Sequence, residues 1–386
     1  MTRTISASAL ASREIRLRAK ILQLLSAQGF KLDDDELLKQ RPYGKRQIRK
    51  IHSVSREERL VLEQPFINEW LPRLSKYLAS GADLDPARID PVPMLVEDDE
   101  MSALFRLASL WWSVPVSRGF GRRFRILVFD KSNDKLIGLL ALTDPVFNLR
   151  VRDAWVGWNV RDREKRLAHV MDAYVLGAVP PYNQLLGAKL MALIATSDFV
   201  RDLFKKRYAG TRSVILDREF DGRLAMVTAT SALGRSSIYN RLKFDGVNVF
   251  QPVGFTEGYG HFHLANGTYE SLRQHLTLVG DKEVTRFKFG SGPNYRIRVV
   301  RKALEYLDLP SDLLRHGVKR AVYVAPLAKN AAAFLRGEHH RLSWYGRSFA
   351  DVVEAWRERW LVPRSIRDDS YRGFDNRTWT KTLSRD

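Results

Sequence analysis

Leu176-Gly-Ala-Val-Pro-Pro-Tyr-Asn-Gln-Leu-Leu-Gly-Ala-Lys189 and Ser236-Ser-Ile-Tyr-Asn-Arg-Leu-Lys-Phe244, each following a short apolar run, are the stretches from which the fold is read. The first predicts a strand that breaks at Pro180 and Pro181, crosses a small polar turn and enters a long apolar helix from about Gly187 to Tyr208. The second follows the strand-like Leu224-Ala-Met-Val-Thr-Ala-Thr230 and predicts a short helix presenting Tyr239 shortly before Leu242 and Phe244. Two strands, each followed by a helix, with a phosphate-sized turn on one and a tyrosine on the other, predict a mixed α/β site at the open end of a sheet.

Working outward, Phe124-Arg-Ile-Leu-Val-Phe-Asp130 and Leu136-Ile-Gly-Leu-Leu-Ala-Leu142 flank the turn residues Asn133 and Asp134 and read as a hairpin. A charged helix is predicted over 159–173, leading into a strand at 174–179. Short glycine-punctuated strands over 249–263 complete the sheet, with a helix over 295–307 and a strand over 320–325 beyond it. On the N-terminal side, Ile15, Leu17, Ile21, Leu22, Leu24 and Leu25 keep a helical period between an N-cap at Ser12 and a stop at Gly29. The acidic turn Asp33-Asp-Asp-Glu36 and the basic Arg41-Pro-Tyr-Gly-Lys-Arg-Gln-Ile-Arg-Lys-Ile-His52 follow, the latter opening a second helix; a third is predicted over 57–80. The Pro- and Asp-rich segment 81–93 reads as a linker. The fold class is therefore α+β in three parts: an N-terminal helical module over 1–92, an α/β core over 93–270, and a C-terminal helical extension with a basic tail over 271–386.

The chain of 386 residues has 64 Lys and Arg against 44 Asp and Glu, a net charge of +20. Such an excess points to polyanionic partners, nucleic acid and DNA first among them; a generally basic surface is the plainer alternative. The absence of cysteine excludes disulfides, thiolate nucleophiles and cysteine-held metals. No run of 18 apolar residues occurs, so no membrane span is expected. The first residues hold no continuous apolar stretch of the signal-peptide kind, and a cytoplasmic location is expected.

The order hairpin, helix, strand, turn, long helix, strand, tyrosine-bearing segment, strand resembles the GNAT acyltransferase fold. In that likeness, Gln184-Leu-Leu-Gly-Ala-Lys189 resembles the family's pyrophosphate turn, and Tyr239-Asn-Arg-Leu-Lys-Phe244 the segment that carries its general acid. More narrowly, Leu136-Ile-Gly-Leu-Leu-Ala-Leu-Thr-Asp-Pro145, Asp153-Ala-Trp-Val-Gly-Trp158, Pro180-Pro-Tyr-Asn-Gln-Leu-Leu-Gly-Ala-Lys-Leu190, Ser231-Ala-Leu-Gly-Arg-Ser-Ser-Ile-Tyr-Asn-Arg-Leu242 and Arg320-Ala-Val-Tyr-Val-Ala-Pro326 resemble the DruA proteins of the Druantia anti-phage defence system. That resemblance implies a role in phage defence as one component among several. A fold-level likeness to the Mom proteins of phages, which modify adenine in DNA, is also implied. Two departures stand out. Lys189 occupies a turn position where an acyl-CoA enzyme has Gly or Ala, and Lys243 stands where Gly usually precedes the phenylalanine; both make a phosphate-facing surface a better fit than a thioester pocket.

Tyr239 is the candidate catalytic residue, since a phenol at a sheet opening can donate a proton or stack on a base; a buried structural tyrosine would read the same way. Asn183, Gln184, Gly187 and Lys189 are the candidate cofactor-binding residues, with helix capping as the alternative, and no particular cofactor is indicated. Lys45, Arg46, Arg49, Arg122, Arg123, Arg235, Arg241 and Lys243 are the candidate nucleic-acid contacts, against the alternative of solvated charged faces. Arg118 and Arg125 with Phe120 and Phe124, and Arg296 and Arg298 beside Tyr295, interleave cations with aromatics in the same manner, while Trp111 and Trp112 read as core. Asp144, Asp153 and Glu257 fall near predicted strand ends, where turn and cap roles compete with catalysis. His261 and His263 share a face of a predicted strand, but with no third partner no metal site is indicated. Three functions fit: a nucleic-acid-binding defence component on a GNAT-like scaffold, a transferase modifying DNA bases or another acceptor from a small-molecule donor, and a recruitment subunit for partner defence proteins.

Overall fold

Two apolar runs around the Asn133-Asp134 turn produce the hairpin where the sequence places it, and the sheet extends from that hairpin on both sides. A computed structural model describes residues 7–30, 32–33, 36–37, 44–212, 219–264, 267–281, 284 and 293–384. The main elements in its first half are α1 (Ala7–Ala27), α2 (Lys45–Leu74), β1 (Pro91–Leu95), α3 (Asp99–Leu110), β2 (Arg123–Asp130), β3 (Lys135–Thr143), α4 (Arg150–Val156), α5 (Val160–Arg166) and β4 (Val170–Ala178). They continue with α6 (Gly187–Ile194), α7 (Asp198–Tyr208), β5 (Met226–Ser231), β6 (Gln251–Phe255), α8 (Thr268–Leu278), α9 (Pro293–Tyr306), β7 (Ala321–Pro326), α10 (Ala331–Arg336), α11 (Phe349–Trp356), α12 (Val362–Arg367) and α13 (Thr378–Leu383). The fold is mixed α+β.

The seven strands form one sheet in the order β6-β7-β5-β4-β3-β2-β1. Every neighbouring pair is antiparallel except β4 with β5, which run parallel. The interior strand β3 reads as a nearly unbroken apolar run because helices or loops bury both its faces. Asp134 closes the β2–β3 turn with φ +58°. Buried Asp130 accepts hydrogen bonds from the Ser132 N–H and Oγ and from the Tyr182 hydroxyl, so the hairpin end and the turn after β4 are tied together. One face of the sheet carries Ile137, Leu140, Leu142 and Met171 against Leu190, Met191 and Ile194 of α6 and Trp356 of α11. The opposite face carries Val170, Met226 and Val324 against Val156 of α4 and Phe334 and Leu335 of α10.

Several predicted boundaries move, each for a local reason. The long helix of 187–208 is two helices, because the Thr196 and Ser197 hydroxyls turn back onto the Leu193 and Ile194 carbonyls at 3.0 and 2.8 Å and interrupt the ladder. The charged helix ends at Arg166, and β4 begins at Val170, so Met171, Asp172 and Ala173 belong to the sheet. Tyr239 sits on a run of turns and not on a helix. The second and third predicted helices merge into α2, which carries Pro65 and Pro72 within it. Ser12 is inside α1, which starts at Ala7; its end is the expected one, with the Phe30 N–H reaching the Leu25 carbonyl at 3.0 Å past Gly29 at φ +86°. The supposed linker contains β1, whose Pro91 and Pro93 are tolerated because it is an edge strand. Asp34 and Asp35 of the acidic turn, and Arg41, Pro42 and Tyr43, lie outside the described residues.

The chain divides into two compact units. One comprises residues 1–62, 113–115 and 256–319; the other comprises 63–112, 116–255 and 320–386. This division differs from the three consecutive parts read from composition. The helical unit is assembled from α1, α8, α9 and the start of α2, and the other unit holds the whole seven-stranded sheet. Although it is the smaller, the helical unit carries about half of the chain's excess positive charge.

Candidate functional site

Parallel pairing between β4 and β5 covers only Val170, Met171 and Asp172 against Met226, Val227 and Thr228, after which the two strands lose their register with each other. On its other side β4 bulges against β3, where Ala141 faces Val175 but Leu142 faces Ala173, leaving Tyr174 as the extra residue. Asp172 and Thr228 are therefore the last paired residues before the sheet opens, and the Thr228 hydroxyl donates to Asp172 Oδ1 at 2.6 Å.

Asp172 is half-buried, and among the described residues no cation lies within ion-pair distance of it. Burial pushes its pKa up to about 6, opposed by the Thr228 hydrogen bond and the more distant charge of Arg152. Arg152 cannot swing over to neutralise it. Its fully buried guanidinium is held by Asp153 Oδ1 at 2.6 and 2.8 Å and by the Val146 and Phe147 carbonyls at 2.8 and 2.9 Å. Asp153 also receives Arg163 at 2.8 Å. Asp153 is thus a structural anion between two arginines, and Asp144 has the same role toward Arg122.

Tyr239 is buried, its ring 4.7 Å from Phe250 and 4.9 Å from Tyr323. Burial raises its pKa above the ordinary phenol value, and the charge of Asp172 raises it further, which places the two groups within each other's field. The phenol is therefore held protonated while the carboxylate is poised near neutrality. The segment bearing Tyr239 is fixed from β7: the Tyr323 hydroxyl donates to Asn240 Oδ1 at 2.9 Å and accepts the Ser236 N–H at 3.0 Å.

The turn after β4 is closed on itself. The backbone N–H groups of Asn183, Gln184, Leu185, Leu186 and Gly187 all bond to carbonyls between Val179 and Asn183. Gly187 is required by packing, since a Cβ there would lie 2.9 Å from both Ala178 Cβ and the Tyr182 carbonyl oxygen. On the outside, the Gln184 carbonyl accepts from Arg364 at 3.1 Å and the Leu186 carbonyl from the Trp356 indole at 3.2 Å. An anion at this turn would meet side chains and not a cradle of backbone donors. Asn183 is exposed, and Lys189 extends to the Ser237 and Ile238 carbonyls at 3.1 and 3.4 Å.

The basic candidates sort by exposure. Arg122 is built in: it holds Asp144 and the Ala168 carbonyl, and its guanidinium lies over Phe204, Tyr208 and Phe220. Arg123, Arg235, Arg241 and Lys243 are exposed in the sheet unit, and Lys45, Arg46 and Arg49 are exposed in the helical unit. Arg296 lies over Tyr269 at 5.1 Å. His261 and His263 occupy a bend and a short 3-10 turn; His263 is buried with Nε2 2.6 Å from the Leu313 carbonyl, and no metal-holding group of His, Asp or Glu exists among the described residues. Trp111 packs on Trp379 with ring centroids 4.5 Å apart.

Asp172 is the residue that sequence reasoning missed, because it was assigned to the end of the charged helix. The available signal was a single carboxylate inside Val170-Met-Asp-Ala-Tyr-Val-Leu176, a run otherwise fit for a strand.

The family model described as Druantia protein DruA matches residues 43–337. The chain is 43% identical over 378 residues to a Druantia protein DruA of Escherichia coli (strain UMEA 4076-1), spanning 97% of this chain and 93% of that one. No solved structure matches. Among the described residues, no helix is long and apolar enough to cross a membrane.

Proposed function

The chain belongs to the DruA family, a component of the Druantia anti-phage defence system, and from that premise we propose that it binds nucleic acid, DNA first, through a basic surface on a GNAT-like scaffold. The observation that carries the reading is the start of α2. Lys45, Arg46, Arg49 and Lys50 are all exposed in its first two turns, there is no acidic residue in the first turn, and none of the four has a carboxylate within ion-pair distance among the described residues. Cations in the first turn of a helix, here Lys45 and Arg46, oppose the macrodipole and cost the helix about 0.3–1 kcal/mol each. A polyanion reverses that sign, because phosphates favour both the helix N-terminus and the cations.

The test is a titration of full-length protein with duplex DNA at several salt concentrations. Replacing Lys45, Arg46 and Arg49 by Ala should reduce the slope of log K against log salt by about 3, at roughly 0.9 per phosphate contact. An unchanged slope would exclude this helix. In the sheet unit, Arg123, Arg235 and Lys243 remain candidate contacts, whereas Arg122 is committed to Asp144.

The order of hairpin, strand, turn, helix, strand and tyrosine-bearing segment supports the GNAT-like scaffold, and the parting of β4 and β5 favours a second reading, a transferase acting at that opening. In it, Asp172 accepts a proton from the acceptor and the protonated Tyr239 donates one to the leaving group. Asp172→Asn and Tyr239→Phe should each abolish phage protection while leaving DNA affinity intact, and the wild type should leave a mass increment on an acceptor such as DNA. Full protection by both variants would remove this reading.

A further inference from the structure

We infer that Lys189, Arg241 and Arg359 form a binding site for a phosphate or pyrophosphate group. The inference concerns the sheet unit alone and does not rest on the α2 reading. Trp360, just after α11, has Lys189 Nζ 5.3 Å from its ring centroid and the Arg359 guanidinium 5.2 Å away. The same Lys189 ammonium donates to the Ser237 and Ile238 carbonyls, in the segment that continues to Arg241. Lys189 and Arg359 thus meet at one ring, and Arg241 follows three residues after the Ile238 carbonyl that Lys189 reaches, near enough for its charge to act on Lys189.

What sets this cluster apart is that a half-buried lysine and an arginine share one indole ring with no anion between them. By contrast, Arg152 and Arg163 in the same unit share Asp153. Among the described residues, no carboxylate lies within ion-pair distance of Lys189, Arg241 or Arg359, and neither guanidinium has a hydrogen-bond partner in the protein, Arg359 meeting only the Trp360 ring. Burial lowers the Lys189 pKa, and the charges of Arg359 and Arg241 lower it further, so the three groups repel one another as they stand. A dianionic, multi-oxygen ligand removes that repulsion and accepts the two guanidinium forks, with the ammonium as a point charge between carbonyls and ring. Since the adjoining turn has no backbone N–H to offer between Asn183 and Gly187, recognition falls to these side chains.

The experiment labels the full-length protein at low salt with an amine-reactive reagent and quantifies Lys189 modification by mass spectrometry against inorganic pyrophosphate concentration. Pyrophosphate should protect Lys189 at least tenfold while leaving the exposed Lys206 unprotected. Arg241→Gln and Arg359→Gln should each weaken that protection by roughly tenfold in midpoint, the effect of one charge-assisted contact, whereas Lys206→Gln should not. Parallel arms with a nucleoside diphosphate and a short single-stranded oligonucleotide identify the source of the phosphate: stronger protection by the nucleotide assigns a free phosphorylated ligand, and stronger protection by the oligonucleotide assigns a nucleic-acid backbone. Lys189 labelling indifferent to all three ligands, or protection that survives both arginine substitutions, overturns the inference. The α2 triple variant would lose DNA binding without altering pyrophosphate protection, which separates this result from the α2 proposal.

Discussion

Replacing Asp172 by Asn should stabilise the protein at alkaline pH and lose that advantage in acid. Burial raises the folded-state pKa from an ordinary 3.8 to about 6, so the fold prefers the protonated carboxyl. Stability from this group is fully present below about pH 3.8 and is lost as pH rises through about 6. The full difference corresponds to roughly 3 kcal/mol at about 1.4 kcal/mol per pKa unit, an upper figure because the half-buried group is partly screened by solvent. About half of it, roughly 1.4 kcal/mol, falls between pH 5 and pH 8. Asn keeps an oxygen to accept the 2.6 Å hydrogen bond from Thr228 but cannot ionise. The melting temperature of the variant should therefore gain on that of the wild type by about 3–5 °C as pH is raised from 5 to 8, at some 2–4 °C per kcal/mol for a unit of this size. Thermal unfolding followed by circular dichroism at four pH values, in constant salt, reads this directly. A gap that does not change with pH, or narrows as pH rises, would show that Asp172 is not held in a desolvated site.

Tyr239→Ala should cost about 3–5 kcal/mol through loss of packing on Phe250 and Tyr323, while Tyr239→Phe, which keeps the ring, should move the urea midpoint little. Gly187→Ala should destabilise by roughly 1–3 kcal/mol in the same assay, because its Cβ has backbone and Ala178 at 2.9 Å and nowhere to relax. His263 is pushed down to about 4 by burial, so its contribution is present above its ordinary 6.5 and is lost as pH falls toward 4. Between pH 7 and pH 5 that amounts to about 2 kcal/mol. Hydrogen exchange at amides around His263, corrected for intrinsic rate, should therefore lose about twentyfold protection over that range, and His263→Gln should remove most of the loss.

Much of the sheet was legible because its signals are local. The β2–β3 hairpin follows from Asn133 and Asp134 between two apolar runs, and β7 from Ala321 to Pro326 shows in composition alone. Boundaries failed where a side chain competes with the backbone ladder, as at Thr196 and Ser197, or where a strand begins without punctuation, as at Val170. That last error hid Asp172, since a carboxylate counted on a charged helix asks for no explanation, and the same carboxylate in an apolar strand does. The long-range half of the site had no sequence signature at all. Nothing near Gln184 announces that Trp356 and Arg364 will bond the carbonyls of its turn, or that Arg359 will join Lys189 at Trp360.

Net charge was legible too, yet a total of +20 does not say which cations are available to a partner. Arg122 and Arg123 are neighbours in sequence and were equivalent as nucleic-acid candidates; in the fold one is locked to Asp144 among three aromatic rings and the other is exposed. What separates them is position: Arg122 lies in the bend before β2, where its N–H and its guanidinium both meet Asp144 just past the end of β3, whereas Arg123 opens the strand with its side chain exposed. The informative quantity is therefore the cation left without a carboxylate after folding. By that measure the start of α2 and the Lys189, Arg241 and Arg359 cluster are places, among the described residues, where polyanion binding would relieve an electrostatic cost, and they call for different ligands: an extended row of phosphates along the exposed turns of a helix, and a single compact phosphate group among three side chains.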